Sequence, residues 1–131
     1  MREEDLEAVT RGYEAWNKGE LGAVLELMDP EIEWAPGAES PEAGVFTGRD
    51  GLAAFVKSWA ESFDDFRLEP EEVTVDGDRA IVLLRQSGRG RGSHIELDIK
   101  TVHVWTIRDG VAVAWAAYRN REDALDAIGA S

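Results

Sequence analysis

The sequence predicts an α+β domain, with helices first and an antiparallel sheet afterwards. Three observations carry that expectation. Apolar residues recur at helical spacing as far as Phe63. From Phe66 onward the period changes to two. Turn signals at Asp76-Gly77-Asp78 and Asp109-Gly110 divide the second half into hairpins. The chain has 131 residues, one domain's length, and no internal repeat or long linker, so residues 1–131 are read as a single domain.

The elements follow in order. Leu6, Val9, Tyr13 and Trp16 share one face of a first helix, and Gly19 ends it. Leu21, Val24, Leu25 and Met28 form a second short stripe, stopped by Asp29-Pro30. Glu31–Trp34 reads as a short strand. The stretch after it, with Pro36, Gly37, Pro41 and Gly44, reads as a long loop, mobile and bordering a cavity mouth. A third helix runs from about Asp50 to Phe63, with Leu52, Phe55, Val56, Trp59 and Phe63 on its apolar face and Asp64-Asp65 as its end turn. Strands are expected at about 66–75, 79–88, 94–108 and 111–118, and a last short helix over 121–128. The Gly88-Arg89-Gly90-Arg91-Gly92 run has no helix after it, so it reads as a hairpin loop and not as a phosphate cradle.

Strand alternation assigns the faces. Ile99, Thr101, His103, Trp105 and Ile107 share one face of the third long strand, while Asp98, Lys100, Val102, Val104, Thr106 and Arg108 share the other. The charges mark the outer face, so the aromatic set looks inward. Val82, Leu84 and Gln86 are placed inward on the strand before. On the last strand Val113, Trp115, Ala117 and Arg119 are placed inward, and Ala112, Ala114, Ala116 and Tyr118 outward. An outer row of alanines beside Val102 and Val104 suggests a face covered by a second copy of the chain, hence a homodimer.

Composition excludes several classes. Apolar residues make up 44% and charged residues 31%, a balance unlike that of a disordered chain. No apolar run is long enough to span a membrane, and the acidic start Met1-Arg2-Glu3-Glu4-Asp5 is unlike a secretion signal. A cytoplasmic location is the expectation. With no cysteine, disulfides and thiolate chemistry are excluded. The net charge of −13 repels phosphate backbones, so nucleic acid is not an expected partner. No nucleotide motif is present, and the two histidines, His94 and His103, do not cluster with carboxylates, so neither cofactor nor metal is expected.

Five phrases stand out: Tyr13-Glu14-Ala15-Trp16-Asn17-Lys18-Gly19-Glu20-Leu21, Asp29-Pro30-Glu31-Ile32-Glu33-Trp34 and Gly48-Arg49-Asp50-Gly51-Leu52, then Asp76-Gly77-Asp78-Arg79-Ala80 and Val104-Trp105-Thr106-Ile107-Arg108-Asp109-Gly110. In their order and spacing they resemble the SnoaL-like branch of the nuclear-transport-factor-2-like superfamily, which includes ketosteroid isomerase. The resemblance covers about residues 5–129 and implies a cone: a curved antiparallel sheet wrapped around the N-terminal helices, with an apolar cavity at the wide end and dimerisation through the outer sheet face. It implies that Trp16, Trp34, Trp59, Trp105 and Trp115 lie on or near the cavity walls.

The resemblance also tests chemistry. The base of ketosteroid isomerase matches Ala35 here. Its oxyanion tyrosine matches Gly12, one step from Tyr13, and its buried aspartic acid matches His103. The Arg-x-Asp pair of related epoxide hydrolases matches Thr101 and His103, their last-strand Asp matches Ala117, and the acid of SnoaL-type cyclases also matches Ala117. Those carboxylates are therefore missing. His103 remains as the inward titratable group able to exchange protons, and it is the expected catalytic residue. Tyr13, Trp16, Trp34, Phe55, Trp59, Gln86, Thr101, Trp105, Trp115 and Arg119 are the expected ligand-binding set around a small hydrophobic, ring-containing molecule. Three readings stay open: an acid–base isomerase, cyclase or dehydratase centred on His103, a non-catalytic binding module, and a dimerisation domain.

Overall fold

The computed structural model describes residues 2–37 and 45–129. Helix α1 (Glu3–Asn17) begins with Glu3, Glu4 and Asp5, acids that suit the positive end of a helix dipole. Gly19, at a φ of +75°, carries the chain out of it. Helix α2 (Leu21–Glu26) is shorter than its apolar stripe suggested, because Met28 already opens strand β1 (Met28–Ala35). A two-residue strand β2 (Phe46–Thr47) precedes helix α3 (Arg49–Ser62). The long strands are β3 (Phe63–Asp76), β4 (Arg79–Gly90), β5 (Glu96–Arg108) and β6 (Val111–Tyr118), and α4 (Arg121–Ile128) closes the order. Asp64 and Asp65 lie inside β3 at a bulge, not in a helix-end turn.

The six strands run β2-β1-β6-β5-β4-β3. The expected antiparallel meander is present over β3 to β6, but β1 pairs with β6 in parallel. Topology explains the mixture. The chain enters the sheet at β1, crosses to the far edge through α3, and returns by hairpins until β6 lands beside β1. Bulges between Asp64 and Arg67, Pro70 and Glu72, and Thr106 and Ile107 bend the strands. The result is a curved, unclosed sheet around α1–α3, an α+β cone.

Two apolar clusters lie on its two faces. The inner one joins the helices to Trp34, Val82, Leu84, Trp105 and Ile107. The outer one is Ile81, Val102, Val104 and Ala124, with Leu83, Tyr118, Leu125 and Ile128 packed against it. The apolar outer row that suggested a covering partner is thus covered in part by the chain's own α4. Ala112 departs from its assigned face. The bulge gives β6 one extra residue, Val113, between Ala112 opposite Ile107 and Ala114 opposite Thr106, and this turns Ala112 into the inner core.

Two polar clamps hold α1 on the sheet. The Asn17 side chain donates to the carbonyl of Leu68 at 2.8 Å and accepts from its N–H at 2.9 Å, as a neighbouring strand would. At the other end the buried Asp5 carboxylate accepts from the N–H of Gly110 at 2.8 Å, tying the helix start to the β5–β6 turn. The stretch expected to border the cavity mouth, residues 36–44, falls largely outside the described residues.

Candidate functional site

Between the inner sheet face and the helices lies a cavity of about 380 Å³. Alternation on β5 aims Ile99, Thr101, His103 and Trp105 into it, as the face assignment required. β6 adds Trp115 and Ala117, in register with Trp105 and His103. Helix α1 contributes Tyr13 and Trp16, and α3 contributes Phe55 and Trp59 from the apolar stripe read in the sequence.

The walls form two aromatic groups. Near the opening, Trp16 stands edge-on to Phe66 with centroids 5.4 Å apart, and Trp59 lies 5.7 Å from the same ring. Ile99, lining the cavity yet 41% exposed, marks that side as the mouth. At the deep end Tyr13 stacks on His103 at 5.9 Å, and Trp115 meets the imidazole edge-on at 5.1 Å and 77°. Phe66 was not foreseen as a wall residue. Its period-two spacing from Leu68, also on the wall, was the available signal.

Hydrogen bonds link the deep group. The indole N–H of Trp105 donates to the Tyr13 hydroxyl at 2.9 Å, and that oxygen lies 2.7 Å from Nδ1 of His103. His103 is 6% exposed and Tyr13 4%. Burial makes the imidazolium costly and lowers the His103 pKa from 6.5 to about 3. Burial likewise raises the Tyr13 pKa, with the Trp105 hydrogen bond opposing it weakly. Both groups are therefore neutral at pH 7. Among the described residues no Asp, Glu, Lys or Arg lines the cavity, and no group of three metal-binding side chains converges. With the phenol engaged by Trp105 and His103, the second imidazole nitrogen is the deep-end atom left to make a directed hydrogen bond in an otherwise apolar wall.

Residues 9–115 match the sequence model of the SnoaL-like domain. The chain belongs to the SnoaL-like family. No protein with curated annotation matches its sequence. Solved structures share its fold. A nuclear-transport-factor-2-like protein of unknown function from Burkholderia pseudomallei is 25% identical, with a TM-score of 0.79 over 95% of this chain and 97% of that one. TerC, co-crystallised with polyporic acid, is 23% identical, with a TM-score of 0.77 over 96% and 98%. A protein from Jannaschia provisionally named a SnoaL-like polyketide cyclase is 23% identical, with a TM-score of 0.77 over 98% and 93%.

Within this SnoaL-like cone most of the expected ligand-binding set reaches the cavity wall: Tyr13, Trp16, Phe55 and Trp59 from the helices, and Gln86, Thr101, Trp105 and Trp115 from the sheet. The Thr101 hydroxyl donates to the carbonyl of Tyr118 at 2.8 Å, which leaves its lone pairs for the cavity.

Two expected members lie elsewhere. Trp34 faces inward in register with Trp115, but α3 lies directly over it. A Cβ on Gly51 would sit 3.4 Å from its ring, an ordinary van der Waals contact, so α3 packs against this indole. Trp34 donates to the carbonyl of Gly48 at 3.1 Å, stacks on Phe46 and sits behind Phe55 as core. Arg119 is exposed, 3.6 Å from Asp123. Strand β6 ends at Tyr118 and the chain turns into α4, so alternation does not extend to Arg119. Ala35, which the resemblance matched to the isomerase base, pairs with Ala116 on the outer face, and the next residue, Pro36, lines the cavity instead.

Proposed function

We propose that this SnoaL-like protein binds a neutral, ring-containing small molecule in the aromatic cavity. One observation carries the reading: among the described residues the cavity wall combines four tryptophans with no charged side chain. Aromatic walls favour flat rings through dispersion and edge contacts. An ion entering such a site would lose its hydration without a counter-charge. The volume falls within the range of roughly 300–1,000 Å³ typical of small-molecule sites. That TerC, a chain of the same fold, was co-crystallised with polyporic acid is in keeping with an organic guest.

The test uses the tryptophans as reporters. Quenching of intrinsic fluorescence would be measured with 9-fluorenone, a neutral tricyclic ketone, and with fluorene-9-carboxylate, an anion of similar size. Saturable binding of the ketone with the anion at least tenfold weaker is expected. Equal binding of the two, or no binding of the ketone, would overturn the reading.

A second reading, catalysis centred on His103, is favoured by the opening of its imidazole onto the cavity. Held neutral, the ring can donate a hydrogen bond to a substrate carbonyl and polarise it. It does not store a proton at pH 7. Loss of turnover in His103→Phe with ligand affinity reduced only a few-fold would support this, and unchanged turnover would exclude it.

A further inference from the structure

We propose that Trp105 and Tyr13 are positioning residues that hold His103 in the tautomer protonated at Nε2, so that the deep wall presents a hydrogen-bond donor and the guest carries an acceptor, a carbonyl oxygen above all, at that end. The proposal rests on the reading of the cavity as a site for a neutral ring molecule, and it adds the polarity of the deep contact.

Proton counting gives the direction. An indole N–H can only donate, so the Tyr13 oxygen accepts from Trp105. That oxygen has one proton of its own, and its other partner is Nδ1 of His103, at 2.7 Å. Suppose Nδ1 carried a proton. The tyrosine oxygen would then accept twice, and its O–H would find no acceptor among the described residues, one more unpaired group than the other tautomer leaves. With Nδ1 bare, Trp105 donates to Tyr13, Tyr13 donates to His103, and both hydrogen bonds have one donor and one acceptor. The imidazole proton then sits on Nε2. Among the described residues, the hydrogen bond through Nδ1 is the one His103 makes. Among the described residues no buried side-chain nitrogen is left unsatisfied, so Nε2 has open space beside it, and the ring lines the cavity.

The arrangement has a chemical consequence. The Tyr13 hydroxyl is spent on His103 and is not offered to the guest. A guest with an acceptor at the deep end completes the chain. A guest with only a donor there sets N–H against N–H, and a hydrocarbon leaves Nε2–H unpaired in a dry site. Discrimination of this kind, set by a buried polar group that would otherwise go unpaired, is steep.

Two measurements test the proposal. Long-range 1H–15N correlation on the ligand-free protein reads the tautomer directly. A pyrrole-type Nε2 with a pyridine-type Nδ1 is expected, and the reverse pattern overturns the proposal. Binding is then compared for three tricyclic probes of one shape: 9-fluorenone with an acceptor, fluorene with neither group, and carbazole with a donor. Fluorenone should bind about tenfold more tightly than fluorene, with carbazole no tighter than fluorene. Carbazole binding tightest would overturn the proposal.

Tyr13→Phe should mix the two tautomers and bring fluorenone and carbazole within about threefold of each other, the span a lost neutral hydrogen bond leaves. Trp105→Phe, which frees the hydroxyl to turn, should do the same, and an unchanged tautomer in a folded variant of either kind counts against positioning. If none of the three probes binds while Nε2 carries its proton, the ring-molecule reading fails and takes the carbonyl assignment with it, while the tautomer assignment stands.

Discussion

The two faces of strand β5 meet opposite fates. On the outer face Val102 and Val104 disappear under α4, in a cluster closed by Ala124. On the inner face their neighbours His103 and Trp105 border a cavity. Residues one position apart thus do different work. The outer row is filled by aliphatic groups small enough to interlock, and it stabilises the fold by burial. The inner row carries rings too large and too stiff to fill the space between sheet and helices, so they prop it open. Polar chemistry divides the same way. Outer-face charges such as Arg85 and Asp98 pair in solvent, whereas the inner face keeps a neutral hydrogen-bonded chain out of it.

The sharpest way to break the contrast is to put a charge under α4. Val104→Asp buries a carboxylate with no counter-charge within its apolar cluster, and should cost about 4 kcal/mol in urea unfolding. A loss below about 1 kcal/mol would show that α4 does not seal this face.

Acid tests the inner face. The folded His103 pKa of about 3 lies below the unfolded value of 6.5, so between those values the unfolded chain binds the extra proton. The contribution is complete above pH 6.5 and is lost as pH falls towards 3. By pH 4 the loss amounts to on the order of 3 kcal/mol. His103→Gln keeps an acceptor for Tyr13 and cannot titrate. Its stability should therefore fall less steeply between pH 6.5 and 4 than that of the natural protein, while the carboxylates act alike in both. Parallel curves would contradict a buried neutral imidazole.

A smaller effect is expected where α1 meets the sheet edge. Asn17→Ala removes both hydrogen bonds to Leu68 and should cost about 2 kcal/mol. Hydrogen exchange should quicken first at Leu68, whose N–H loses its acceptor. The smallest effect belongs to the outer charges. Arg85 donates to Asp98 through two nitrogens at 2.7 Å, which holds the Asp98 carboxyl below its ordinary range, yet both side chains are about half exposed. Arg85→Ala should leave the urea midpoint unchanged within error in 0.5 M salt, because water and salt screen exposed pairs.

Much of this molecule is legible in its sequence. Helical spacing up to Phe63 and alternation after Phe66 place the long elements, and the Asp-Gly signals place two of the turns. Alternation alone aims His103, Trp105 and Thr101 at one face, because a strand turns successive side chains through half a circle whatever surrounds it. What the pattern does not contain is register. The extra residue Val113 that turns Ala112 inward, and the parallel seating of β1 beside β6, depend on which strands meet. Nor does local spacing show what lies over a given inward position: α3 covers Trp34 and leaves Trp115 open to the cavity. The apolar outer row of β5 and β6 was visible, but that α4 covers part of it was not, since a helix twenty residues away can fold back or face outward with the same stripe. The hydrogen-bonded chain from Trp105 through Tyr13 to His103 joins residues about ninety positions apart. Sequence supplied the donor, the relay and the acceptor. Only packing brought them within 3 Å of one another, and burial, by excluding water as an alternative partner, fixed which atom holds each proton.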